Sequence, residues 1–250
     1  MSRLSGRIAL VTGASRGIGA AVAKRFAAEG AHLVLVARTV GGLEETDDAI
    51  QKISGQSATL VPMDLRDYDK IDQLGHALYQ RFGKLDVVVG NAGALEALGP
   101  VAQYDPKLWS RVMDLNVTAN YRLIRSMDPL LRASGSGRAI FVTSAAAKAP
   151  HHYWMPYGAS KAALEMIVKT YALEVAGSSV RANLIDPGVV ATKLRTQAFP
   201  GEDPTRIAQP DDVTERFVEL AEAACTLHGE LVSGAASLEG GRPTLALPPP

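Results

Sequence analysis

The stretch Thr12-Gly13-Ala14-Ser15-Arg16-Gly17-Ile18-Gly19 lies between an apolar run, RIALVT over 7–12, and an amphipathic one, GIGAAVAKRFAAE over 17–29. The first reads as a buried strand, the second as a helix that begins inside the glycine turn. Outward from this point the alternation repeats. A strand over 32–37 leads to a polar helix over about 40–53, a strand over 58–63, a helix over about 68–82 and a strand over 85–89. Later, a long helical stretch over 109–131 precedes a strand over 138–143, and a helix over 157–175 precedes a strand over 179–185. Short apolar strands separated by helical crossovers predict an α/β fold, a doubly wound parallel sheet covered on both faces to give three layers. Ligands of such sheets lie beyond the carboxyl ends of the strands.

The 250 residues fit a single domain, 1–250, whose size allows a large core without staples. With 26 basic and 26 acidic residues, no net field points to nucleic acid or an anionic membrane. The lone Cys225 cannot form an internal disulfide and reads as a packing residue, which suits a reducing compartment. No signal-like or membrane-spanning apolar run is apparent, so the expected location is the cytoplasm. The Pro- and charge-rich segment 199–212 interrupts the pattern before a last helix over 213–227, and 189–212 is a candidate substrate loop. The tail 243–250, ending in three prolines, is expected to be extended or disordered.

Glycines at 13, 17 and 19 permit a tight turn and close backbone approach to a pyrophosphate, which the helix N-terminus would hold with unpaired N–H groups. The spacing is Gly-x3-Gly-x-Gly rather than the common Gly-x-Gly-x2-Gly. At the end of the second strand, where an NAD site carries an acid for the ribose 2′-hydroxyl, this chain has Ala37 and then Arg38. Arg38 and Arg16 could grip a 2′-phosphate between them, so NADP(H) is expected over NAD(H).

The TGASRGIG turn, Asn91-Ala92-Gly93, Asn116, Ser144, Tyr157-Gly-Ala-Ser-Lys161 and Pro187-Gly188 occur in that order over nearly the whole length. In this the chain resembles the short-chain dehydrogenase/reductase superfamily, whose fold is Rossmann-type. The segment 198–204 and Gln209-Pro210 are similar to those of bacterial NADP(H)-type members of uncertain substrate. The resemblance implies that Gly13, Ser15, Arg16, Gly17, Ile18 and Gly19 bind the cofactor diphosphate end. It further implies that Asp64 and Leu65 flank the adenine, that Asn91, Ala92 and Gly93 line the cofactor, and that Pro187, Gly188, Val190 and Thr192 cradle the nicotinamide end. It makes Asn116, Ser144, Tyr157 and Lys161 the catalytic set, with Lys161 also binding the nicotinamide ribose. Asn116 is implied to kink its helix and to anchor, through its carbonyl, a water that relays protons to Lys161. The chain departs from the pattern at 231–241, where extra small residues precede the glycine pair.

Tyr157 and Lys161, four apart, share one helix face. A free tyrosine titrates near 10, and a neighbouring ammonium favours its phenolate, as an acid–base catalyst needs. Ser144, at the carboxyl edge of the fifth strand, is placed to hold a substrate oxygen beside the phenol. The expected activity is therefore reduction of a small-molecule ketone or oxidation of an alcohol. A cofactor-binding regulatory or assembly protein with little turnover, and a nucleotide-sugar epimerase or dehydratase on the same scaffold, are the alternatives. His151, His152, Tyr153 and Trp154 are expected to wall the substrate pocket and to suit an apolar or ring-bearing substrate; a metal site is not expected. The helices over 109–131 and 157–175 could form a symmetric dimer or tetramer interface.

Overall fold

The computed structural model describes residues 2–234. Seven parallel strands form one sheet in the order β3-β2-β1-β4-β5-β6-β7. The strands are β1 (Ile8–Thr12), β2 (His32–Ala37), β3 (Thr59–Pro62), β4 (Val87–Gly90), β5 (Arg138–Val142), β6 (Arg181–Asp186) and β7 (Leu231–Ser233). The helices are α1 (Gly17–Ala28), α2 (Val40–Ser54), α3 (Tyr68–Phe82), α4 (Pro106–Met113), α5 (Ala119–Ala133), α6 (Met155–Val175), α7 (Lys193–Ala198) and α8 (Thr214–Ala221). The order reverses at β1, which pairs with β2 on one side and β4 on the other. That switch point opens the crevice in which doubly wound sheets take their ligands.

Alternate residues of each strand feed two cores. Leu10, Val88, Phe141 and Leu184 pack with α3, α5 and α6 on one face. Val11, Val89, Ile140 and Ile185 pack with α1, α2 and α8 on the other. Both faces are therefore apolar, which is why the strands read as unbroken hydrophobic runs rather than alternating ones.

The departures from the expected boundaries have local causes. The stretch expected as one helix over 109–131 starts at Pro106, capped by the Asp105 carboxylate on the Lys107 N–H, and is interrupted by a π-helical turn at Asp114–Thr118. The last helix stops at Ala221, because Glu222 is extended and the Arg138 guanidinium gathers the carbonyls of Glu222, Ala223 and Cys225. Within 189–212 the chain forms the short helix α7, capped by the Thr192 hydroxyl, and a bridge between Val190 and Ala208. The expected tail at 243–250 and most of 231–241 lie outside the described residues. Tyr121 on α5, with Met166 and Leu173 on α6, is exposed on the outer face.

Candidate active site

A cleft of about 490 Å³ runs along the carboxyl edge of the sheet. Gly13, Ser15, Arg16, Gly17 and Ile18 form one end, with Arg38 after β2 and Asp64 and Leu65 after β3 beside them. Asn91, Ala92 and Gly93, which follow β4, form the middle. Ser144, Tyr157 and Lys161 lie at the far end, and Pro187, Gly188, Val190 and Thr192 also line the cleft, Thr192 close to Gly17. Among the expected cofactor residues, Gly19 is the exception. It is buried behind the turn, where a Cβ would collide with the Gly13 carbonyl and stand 2.6 Å from Asn91 Nδ2. Its glycine is required by packing of α1 against the turn.

At the glycine end, α1 starts from an extended Arg16, with no side-chain cap and no acid in its first turn. Gly17 has φ +56°, a conformation costly for other residues, and faces Thr192 across the cleft. Asn91 braces the turn by donating from Nδ2 to the Thr12 carbonyl at 2.9 Å, while the Thr12 hydroxyl accepts from the N–H groups of Asn91 and Ala92. The Thr46 hydroxyl of α2 adds a bond to the Ala14 carbonyl. Arg38 is exposed, its Nη1 4.0 Å from Asp64 Oδ2. Asp64 itself is held by Arg66 at 2.6 Å, and that hydrogen-bonded guanidinium keeps its carboxyl below the usual range. Arg66 escaped the sequence reading. Its only signal was an acid two residues earlier, a spacing common on surfaces.

At the far end the four catalytic candidates converge from three elements: the π-helical turn, the end of β5 and α6. Lys161 Nζ, buried, donates to the Val142 carbonyl at 2.8 Å and lies 5.7 Å from the centre of the Tyr157 ring. Asn116 falls within the π-helical turn, and its amide is fully used. Nδ2 donates to the Ala94 carbonyl and the Ser160 hydroxyl, and Oδ1 accepts from the Ala94 N–H. Its own carbonyl accepts from Asn120 Nδ2 at 2.9 Å. Ser160 in turn donates to the Tyr157 carbonyl, so the turn and the start of α6 are locked together. Asn116 does not line the cleft; it holds the strand-end loop and α6 that do.

Burial moves the two titrating groups in opposite directions. The Tyr157 phenol is pushed up to about 12, with the Ser144 hydroxyl opposing the shift. Lys161 is drawn down to about 8 by the same desolvation, which Asp186 opposes. A phenol brought toward neutrality by its lysine was expected from the sequence. In the protein alone the shift runs the other way, because burial dominates even though the Lys161 ammonium, bonded to the Val142 carbonyl, lies over the ring at 5.7 Å. Asp186, the last residue of β6, also lines the cleft and was not anticipated.

The wall beside Tyr157 is apolar. Leu95, Ala146, Trp154, Leu194 and Ala198 pack around it. The Trp154 ring meets Tyr157 edge-on at 5.8 Å and lies 5.8 Å from the Phe199 ring, on whose face Arg195 rests at 3.7 Å while paired to Glu202. Gln197 of α7 donates to the Glu96 carbonyl at 2.7 Å, tying this wall to the loop after β4. Of the four residues expected as wall, Trp154 lines the cleft; His151, His152 and Tyr153 do not. Among the described residues, no cluster of metal-ligating side chains occurs and no helix is long and apolar enough to cross a membrane.

Comparison with known proteins agrees with this fold. The pattern of the family described as short chain dehydrogenase matches residues 7–203. The chain is 33% identical to the oxidoreductase YciK of Escherichia coli over 87% of its own length and 86% of that protein's. It is 34% identical to a benzil reductase, IRC24, of Saccharomyces cerevisiae, covering 89% of this chain and 85% of that one. A chain from Escherichia coli CFT073, classed as a short chain dehydrogenase and complexed with NADPH, superposes with a TM-score of 0.90 at 32% identity, over 94% of this chain and 99% of that chain.

Proposed function

The chain belongs to the short-chain dehydrogenase family, and on that premise we propose that this oxidoreductase uses NADP(H) to interconvert a ring-bearing ketone and its alcohol, with Tyr157 as the proton donor and acceptor. One observation carries the reading: a single cleft joins an uncapped, acid-free helix N-terminus at one end to Ser144, Tyr157 and Lys161 at the other.

The residues present fit a dinucleotide. The start of α1 offers first-turn N–H groups to a diphosphate without competition from a side chain, and Gly17 leaves the approach open. Arg16 and Arg38 are exposed cations at that end, and Ala37 puts no carboxylate where a 2′-phosphate would lie. Relatives solved with NADPH and NADP support the same choice.

When bound, the nicotinamide supplies or accepts the hydride. The chain moves the proton. Tyr157 gives its phenol proton to the carbonyl oxygen in reduction and takes it back in oxidation. Ser144 holds that oxygen in place, so charge developing on it meets a fixed donor. Lys161, charged, lowers the cost of the phenolate that is left. Asn116 and Ser160 keep α6 in register with the strand ends. The wall of Leu95, Trp154, Leu194 and Phe199 excludes water and favours an apolar, ring-bearing substrate, in keeping with the benzil reductase among the relatives. Residues 189–212 supply part of that wall through α7 and Phe199.

The test is direct. Wild type should bind NADPH at least tenfold more tightly than NADH, and Arg38→Asp should erase the difference, consistent with about 1.5–3 kcal/mol for a charged hydrogen bond. Wild type should reduce cyclic and aryl ketones with NADPH, and Trp154→Ala should lose several-fold in kcat/KM on them but not on a small acyclic ketone. Equal affinity for both cofactors would overturn the phosphate assignment. NADPH binding without turnover of any carbonyl would overturn the activity.

A further inference from the structure

Among the described residues, Asp186 is the carboxylate that acts on both Tyr157 and Lys161. It is the last residue of β6, and Ile185, just before it, is in register with Val142 of β5. Val142 is the residue whose carbonyl holds Lys161 Nζ, so the carboxylate and the ammonium stand at the ends of neighbouring strands, without a direct ion pair. Both line the cleft, as does Tyr157. The carboxylate is also fixed in place. Oδ1 accepts the Gly188 N–H at 3.0 Å and the Asp186 carbonyl accepts from Gly234 at 2.7 Å, so the side chain cannot swing freely into solvent.

Among the described residues, the groups that touch Lys161 carry no charge. Tyr157 on α6 is a neutral phenol below its raised titration point. Val142 presents a carbonyl, Gly93 lies with its α-carbon toward Nζ, and Asn116 has an amide fully committed elsewhere. Glu165, one turn further along α6, is occupied by the Thr143 hydroxyl and Lys169.

We propose that Asp186 is a positioning residue for the Tyr157–Lys161 pair, its fixed carboxylate keeping the Lys161 ammonium charged and the Tyr157 phenol protonated and so setting the pH range of turnover. This rests on the activity proposed above. Among the described residues, Asp186 is the charged group that acts on both members of the pair, and it raises both. A negative charge favours an ammonium and disfavours a phenolate, so the two effects share one sign in pH. The carboxylate therefore keeps the pair in the state that carbonyl reduction needs, a protonated phenol beside a charged lysine, up to higher pH.

Asp186→Asn tests this cleanly, because the amide retains an Oδ1 that can accept from Gly188 and loses only the charge. Two quantities are read in wild type, Asp186→Asn and Asp186→Glu. One is the titration of Lys161 in the cofactor-free protein by 13Cε-lysine NMR, its resonance assigned with Lys161→Arg. The other is the pH profile of kcat/KM for ketone reduction. In Asp186→Asn the Lys161 midpoint and the alkaline limb should both move to lower pH, by roughly half a unit or more, and Asp186→Glu should restore most of the shift. A Lys161 midpoint that stays at its wild-type value in Asp186→Asn overturns the proposal, even if turnover drops, since an even loss across pH would mark a merely structural role. If wild type reduces no carbonyl, the activity proposed above fails, and the NMR midpoint alone then decides whether Asp186 governs Lys161.

Discussion

The two ends of the sheet both bury charge, and they treat it in opposite ways. At the amino edge, Arg7, Asp86 and Arg138 are almost wholly inaccessible. Asp86 accepts from the Ile8 N–H, the Lys84 ammonium and the Ser134 hydroxyl, and Arg7 reaches the carbonyls of Asp86 and Ser136. Arg138 adds the carbonyls of Gly137 and Ser179 to the three beyond α8. At the carboxyl edge Lys161 has one carbonyl, and the Tyr157 phenol has Ser144 for company. A buried charge surrounded by acceptors ties loops to a scaffold. One left with a single acceptor, its pKa displaced toward the working pH, is costly to the fold and useful to chemistry.

The largest expected effect breaks the carboxyl edge alone. Tyr157→Phe should lower kcat for ketone reduction by about 10²- to 10⁴-fold, while the melting temperature and NADPH affinity stay near wild type. A variant that kept a tenth of wild-type turnover would remove Tyr157 from the proton path.

Next, a matched pair of substitutions should move stability in opposite directions. Arg138→Met leaves several carbonyls without a donor and releases the segment after α8, and should cost about 3 kcal/mol or more in chemical denaturation. Lys161→Met should do the reverse. The folded value of Lys161, about 8, lies below its ordinary 10.5. Between those values the unfolded chain holds a proton that the folded chain has shed, so stability rises as pH climbs through the interval. Below about 8 the buried ammonium is a constant penalty. Removing it should stabilise the protein at neutral pH by up to about 3 kcal/mol, less what the Val142 carbonyl loses, while turnover collapses. Equal destabilisation by both substitutions would erase the distinction between the two edges.

That distinction was only half legible in the sequence. The strand and helix order could be read because each strand is apolar on both faces and each crossover carries its own periodicity. Ser144, Tyr157 and Lys161 were expected together from the family motif and the strand-end position, and the structure brings them to one cleft. Gly19 could be read as necessary but not why: only the structure shows that the Gly13 carbonyl occupies the place of its Cβ. Asp186 was hidden because a carboxylate before a Pro-Gly pair looks like any loop acid until the β5–β6 register brings it beside the Lys161 anchor. Phe199 and Arg195 were hidden for a similar reason, since a Pro- and charge-rich segment gives no periodic signal and α7 is too short to supply one. The burial that raises the Tyr157 phenol in the protein alone was hidden, because sequence gives neighbours along a helix but not the depth of burial.

The smallest effect sharpens the comparison within the cleft itself, where charge at the glycine end is neither buried nor idle. Asp64 lies between two arginines, bonded to Arg66 at 2.6 Å and 4.0 Å from Arg38. Arg66 thus holds most closely the carboxylate that Arg38 reaches only at 4.0 Å, which weakens the hold of Asp64 on Arg38. Arg66→Ala should let Asp64 turn to Arg38, and an exposed ion pair of about 0.2–1 kcal/mol would then compete with the cofactor. NADPH affinity should fall about two- to fivefold, with NADH affinity unchanged, and Asp64→Asn in the same chain should restore it. Restoration is the decisive arm, because an arginine that bound the phosphate itself would leave the double variant as weak as the single one.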